Sequence, residues 1–213
     1  MSKTMSIAFL SFSLLYLLGV SYLETFIWLY KVTPILLLII VVLRSEPSQT
    51  RAVLLFSLIF SGCGDLLLAI DEFIFGVAAF LIAQLSYGFL FSRSWGVGMR
   101  RWPLSLLLVV YLFFMAWLLI PKLGELQLPV MVYLLAIATM GLLAIQSRLP
   151  MRWAVLGAVL FIVSDSFIAI NKFVYAIPFE TYWIMSTYYA AQFMLVVGFL
   201  AAQKQSLRNQ SVN

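Results

Sequence analysis

The sequence predicts an all-α membrane protein of eight transmembrane helices, arranged as two parallel four-helix repeats with both termini cytoplasmic. Three observations carry that reading. Of the 213 residues, 64% are hydrophobic and only 10% charged, more apolar surface than a soluble core absorbs. The apolar residues form continuous runs of the length that a hydrocarbon layer of about 30 Å demands of a helix, and not the alternation of a barrel strand. The basic residues between the runs sort to one side of an eight-span map.

The first span, about 5–23, follows a single basic residue, Lys3, and its apolar run is long for a signal peptide. It therefore reads as a retained helix, although Gly19-Val20-Ser21 resembles a cleavage site. Lys31, Thr33 and Pro34 open the second span, 27–43, which ends at Arg44 and the turn Ser45-Glu46-Pro47-Ser48. The third, 52–70, starts after Arg51 and carries Asp65 before Asp71 and Glu72. Spans four (73–92) and five (103–120) flank Arg93, Arg100 and Arg101. A turn from Pro121 to Pro129, with Lys122 and Glu125, leads to span six, 128–146. Arg148, Leu149-Pro150 and Arg152 precede span seven, 153–171, which carries Asp165. Span eight, 182–202, follows Lys172 and Glu180 and ends in a polar tail, 203–213, expected to fray. Trp28, Trp95, Trp102, Trp153 and Trp183 sit near span ends, where interfacial anchoring accounts for them.

On this map Lys3, Arg44, Arg51, Arg93, Arg100, Arg101, Arg148, Arg152, Lys204 and Arg208 share one side. The other side has Lys31, Lys122 and Lys172 with Glu24, Asp71, Glu72, Glu125 and Glu180. That asymmetry places the basic side in the cytoplasm. The charges are scattered between apolar runs, so the net charge of +5 is a topology signal and no nucleic-acid partner is expected. The connections are short, which predicts a single integral domain, 1–213.

The chain has no histidine, which excludes Ser-His-Asp triads, Cys-His pairs and histidine-ligated zinc. Its one cysteine, Cys63, cannot form an internal disulfide and reads as a packing residue on a different helix face from Asp65.

Asp65-Leu-Leu-Leu-Ala69-Ile70-Asp71-Glu72-Phe73 aligns with Asp165-Ser-Phe-Ile-Ala169-Ile170-Asn171-Lys172-Phe173, identical at four of nine positions. The next spans match through Ala83-Gln84-Leu85 and Ala191-Gln192-Phe193. An offset of four spans preserves orientation, so the halves 1–102 and 103–202 read as parallel repeats. Each aspartate lies about fourteen residues from the basic end of its span, a depth near 20 Å at about 1.5 Å per residue. A charge inside a span costs about 2.5–3.5 kcal/mol on insertion scales, and such residues usually line a working cavity. The plainer alternative, that both acids only reach the outer interface, fits two acids at equal depth less well.

Asp65 and Asp165 are accordingly the candidate catalytic pair. Lys31, Gln84, Tyr87, Tyr188, Tyr189, Gln192 and Asn171 are the candidate substrate-binding residues, with helix–helix hydrogen bonding as the alternative for each. Two carboxyl groups suit acid–base chemistry through an oxocarbenium-like transition state, one protonated as general acid and one ionised. A vinyl ether requires that machinery. An ester or amide would call for an oxyanion hole and nucleophile, which the sequence does not offer. Glu72, two turns beyond Asp65, and Lys172, at the matching place beyond Asp165, favour Asp65 as the acid and Asp165 as the carboxylate.

Gly64-Asp65-Leu66-Leu67, Gly76, Phe80, Gln84 and Tyr87, with Ser164-Asp165, Phe173, Tyr189 and Gln192, resemble the YhhN family of membrane proteins over nearly the whole chain. The resemblance implies a lysoplasmalogenase-like hydrolase of the bacterial cytoplasmic membrane. Such an enzyme cleaves the vinyl ether of a lysophospholipid to a fatty aldehyde and a glycerophospho-base, with the two aspartates catalytic and no cofactor or metal. Two positions depart from the family pattern. Many relatives carry histidine where this chain has Gln84, and the span-two lysine is often followed directly by proline, whereas Val32 and Thr33 intervene here. The second reading is a proton-coupled transporter or lipid-handling permease with the aspartates as proton carriers. Gly62 and Gly64 would break span three in that case, but Ile162 and Ser164 do not repeat them.

Overall fold

The computed structural model describes residues 3–20, 22, 27–96, 98 and 101–210. Ser21, Glu24, Arg100 and residues 211–213, which enter the readings above, lie outside the described residues. Eight long helices follow one another: α1 (Lys3–Gly19), α2 (Ile27–Leu43), α3 (Gln49–Ala69), α4 (Phe73–Ser92), α5 (Trp102–Leu119), α6 (Gln127–Gln146), α7 (Leu156–Phe173) and α8 (Glu180–Gln210). Two 3-10 turns, Ile120–Lys122 and Gly124–Leu126, replace the open turn expected between α5 and α6, and a π turn, Met151–Val155, leads into α7. No strand occurs among the described residues; Trp95 and Ser147 form one isolated bridge.

The six helices from α3 to α8 are long and apolar enough to cross a membrane, while α1 and α2 are apolar helices of 17 residues. Backbone groups in lipid must find partners inside the protein. Pro34 removes a donor within α2, and two hydroxyls serve the turn before it: Thr33 donates to the Leu29 carbonyl at 2.6 Å and Tyr189 to the Lys31 carbonyl at 2.7 Å. Ser13, Ser57 and Ser86 each bond the carbonyl four residues back, which makes a hydroxyl tolerable in an apolar helix. Ser48 caps α3 by accepting from the Arg51 amide at 3.0 Å.

Packing is dominated by the hairpins α3–α4 and α7–α8 and by α4 against α6. Small residues allow the close approaches. A Cβ on Gly64 would stand 2.6 Å from the Phe80 ring, and one on Gly198 would stand 3.0 Å from the Ala154 backbone. The main core runs through α2, α3, α4, α6, α7 and α8 around Leu38, Leu58, Phe91, Met140, Phe161 and Leu195. A smaller cluster, Met115, Leu119, Leu123 and Val130, fills the α5–α6 end. Phe113, Phe114 and Trp117 of α5 are exposed, as suits side chains facing lipid. Cys63 is also exposed on α3 and does not pack in the core, whereas Asp65 is buried.

The two ends of the bundle differ in their contacts. At one end Arg101 donates to the carbonyls of Ile145 and Ser147 at 3.0 and 3.1 Å, and the Gln203 amide donates to the Glu46 carbonyl at 2.8 Å. That last bond belongs to the stretch 203–210, expected to fray but helical here, since α8 continues to Gln210. At the other end Phe73 and Phe173 meet edge to face at 5.7 Å with Lys172 over the Phe73 ring at 5.1 Å. These two phenylalanines occupy matching places in the alignment of spans three and seven. In the register that pairs Gln84 with Gln192, Phe80 matches Tyr188 and Phe91 matches Phe199, and those pairs are also in ring contact, at 5.9 and 4.9 Å.

Candidate active site: two buried carboxyls at the meeting of a polar and an apolar chamber

Asp65 projects from the last turns of α3 and Asp165 from the second half of α7. Both are almost fully buried, at 2% and 7% exposure, where a carboxyl requires partners. Tyr188 of α8 donates to Asp65 Oδ2 at 2.6 Å. Tyr133 of α6 and the Gln84 amide of α4 donate to Asp165 Oδ2 at 2.7 and 3.1 Å. Asp65 is therefore held from one neighbouring helix and Asp165 from two, each through Oδ2, and no hydrogen bond to either Oδ1 occurs among the described residues.

Both carboxyls face one cavity of about 360 Å³, which also receives Lys31, Asn171, Lys172, Glu180 and Tyr16. Its charges include both signs. Asp71, beside it, takes a positive φ of 63° to close α3, a conformation that aspartate tolerates better than most residues. Next to this cavity lies a narrow apolar slot of about 60 Å³ between α5, α6 and α7, lined by Leu112, Met115, Tyr133, Ile137 and Ala169. The two spaces share Leu68, Phe73, Phe80, Ile168 and Asp165. Asp165 is the only carboxyl among the described residues that reaches both. A molecule with a polar head in the cavity and a carbon chain in the slot would carry its junction past that carboxyl.

The seven binding candidates divide. Lys31, Asn171 and Tyr188 line the cavity. Gln84, Tyr87, Tyr189 and Gln192 stand behind its wall: Gln84 holds Asp165, Tyr189 holds the Lys31 carbonyl, and Tyr87 donates to Gln192 at 2.6 Å deep between α4 and α8. Asn171 also accepts from the Ile177 amide at 2.8 Å, which ties the α7–α8 connection to the cavity. Sequence reasoning missed Tyr133 and Tyr16. The only signal for Tyr133 was a hydroxyl well inside an apolar span, where an interfacial role is not available.

The class defined by this architecture is a multi-pass helical membrane protein with two buried carboxyls facing one cavity. The YhhN family profile matches residues 26–199, and the chain belongs to the YhhN family. It is 32% identical over 183 residues to a lysoplasmalogenase of Mycobacterium bovis, covering 80% of this chain and 69% of that one. It is 35% identical over 177 residues to the rat lysoplasmalogenase TMEM86B, covering 81% and 72%. With the bovine lysoplasmalogenase TMEM86A it shares 34% identity over 167 residues, covering 73% and 67%. No solved structure matches the chain.

Proposed function

We propose that this protein is an intramembrane hydrolase that cleaves the vinyl ether bond of lysoplasmalogen-like lipids to a fatty aldehyde and a glycerophospho-base. The observation that carries the reading is the position of Asp165 where the polar cavity meets the apolar slot, with Asp65 in the same cavity. The names of the relatives point to the same substrate class.

The reaction needs one proton on carbon and one water. Asp165, at the mouth of the slot, gives its proton to the β-carbon of the C=C–O unit, and the charge moves to the α-carbon and ether oxygen. Asp65 stabilises that oxocarbenium ion and takes a proton from the water that adds to the α-carbon. The resulting hemiacetal breaks its C–O bond as Asp65 gives its proton to the departing glycerol oxygen and the hemiacetal hydroxyl gives its proton to Asp165, which releases the aldehyde and restores both carboxyls. This reverses the roles that Glu72 and Lys172 suggest in the sequence. Lys172 lines the cavity common to both acids, so its charge does not single out Asp165, and Glu72 does not line it. Lys31 faces the same cavity and suits the phosphate of the head group.

In this reading all eight helices cross the bacterial cytoplasmic membrane with the basic end inside, and the protein is one domain built from parallel halves, 1–102 and 103–202. The ring contacts between matched residues support the duplication, because equivalent positions touch only near a local two-fold axis. Each half then contributes one acid.

The decisive experiment is aldehyde release from a lysoplasmalogen by detergent-purified protein, beside Asp65→Asn and Asp165→Asn. Release by wild type that either substitution lowers at least about 100-fold, with folding intact, supports the hydrolase and the pair. Folded wild-type protein that releases none would overturn the substrate and favour the transporter reading.

A further inference from the structure

We propose a second lipid site at the basic end of the bundle, a cleft between α1, α2 and α8 that holds an anionic phospholipid with a hydroxyl-bearing head group. It is independent of the reaction. The cleft has a volume of about 640 Å³ and lies some thirteen residues along α2 from Lys31, about 20 Å at 1.5 Å per residue.

Its chemistry is divided by depth. Met5, Val41, Val197 and Leu200 form an apolar floor continuous with the helix faces, fit for an acyl chain. Arg44 and Lys204 stand at the rim. Other arginines at this end are engaged: Arg51 donates to the Ser45 carbonyl at 3.0 Å, Arg101 bonds two carbonyls, and Arg93 and Arg152 lie over Phe89 and Trp153. The guanidinium of Arg44 and the ammonium of Lys204 make no hydrogen bond or ion pair among the described residues, although Glu46 also lines the cleft. Two cations over an apolar floor match a lipid phosphate, which a guanidinium grips with paired N–H donors.

A separate observation points to a donor on the ligand. Gln203 spends its amide on the Glu46 carbonyl, and its Oε1 is buried without a partner. A buried acceptor left unpaired is unfavourable, and a turn of the Gln203 side chain, which lines the cleft, would bring it to a head-group hydroxyl beside the phosphate. Phosphatidylglycerol has that combination.

The test is native mass spectrometry and thermal unfolding of the full chain in detergent with phosphatidylglycerol, phosphatidylcholine, or inorganic phosphate added. Wild type should retain one phosphatidylglycerol and unfold at a higher temperature with it than with phosphatidylcholine. Arg44→Gln with Lys204→Gln should weaken phosphatidylglycerol binding at least tenfold, while Arg93→Gln with Arg152→Gln, which removes the same two charges outside the cleft, should not. If the double variant fails to fold, Lys204→Gln alone, an exposed position, should weaken binding severalfold. Equal effects of the two lipids, equal losses in the Arg93 and Arg152 control, or the full shift from inorganic phosphate alone would each overturn the site.

Discussion

Tyr188 and Asp65 are 123 residues apart in the chain and joined by a hydrogen bond of 2.6 Å. Tyr133 stands in the same relation to Asp165 at 2.7 Å, from a different helix. A hydrogen bond to a charged group is worth about 1.5–3 kcal/mol, or about 10–100-fold in rate if it is needed in the transition state. Tyr133→Phe should therefore lower kcat about tenfold or more with little change in KM, since the ring still fills the slot wall. Steady-state aldehyde release decides it. An unchanged kcat would make Tyr133 a packing residue.

The acids were legible in the sequence because a carboxylate in an apolar run has few structural excuses. Of their tyrosine partners, Tyr188 was among the binding candidates, whereas Tyr133 was not, because no other polar residue lies within a turn of it along span six. The apolar slot was also invisible. Leu112 and Met115 lie beside the lipid-facing Phe113 and Phe114 in the same run, and only tertiary packing separates them. The helix order was readable from length and charge, since span ends coincide with basic residues. The extension of α8 to Gln210 was not, because it depends on a contact with Glu46 at the far side of the chain. The likeness of the stretches around Asp65 and Asp165 was readable, and contact between Phe73 and Phe173 is what an internal two-fold would produce there.

The slot sets a prediction on substrate length. Ala169 lies one turn beyond Asp165 on α7 and lines the slot. Each buried methylene contributes about 0.8 kcal/mol, so losing two would weaken binding about tenfold or more. Ala169→Phe should raise KM for long-chain lysoplasmalogens by about that factor and leave short-chain analogues nearly unaffected. A uniform loss across chain lengths would mean that the chain goes elsewhere.

Gly64 and Phe80 make a second test. Phe80 is a wall common to both chambers, and it sits where a Cβ on Gly64 would fall. Gly64→Ala should destabilise the protein by about 1–3 kcal/mol, the usual cost of overpacking. Combining it with Phe80→Leu should recover part of that loss, which thermal unfolding of the single and double variants would measure. Additive losses would show that the clash is relieved in another way.

Lys31 tests the direction in which the substrate lies. The cavity holds cations and anions, but Lys31 comes from α2, on the Asp65 side, and its backbone carbonyl is held by Tyr189. If it binds the phosphate, Lys31→Met should raise KM for a lysoplasmalogen about tenfold, the order expected for a charge-assisted bond. An alkenylglycerol without phosphate should be cleaved by wild type and variant at similar rates. Equal losses on both substrates would move Lys31 from the head group to the acids, where its charge would act on Asp65 directly.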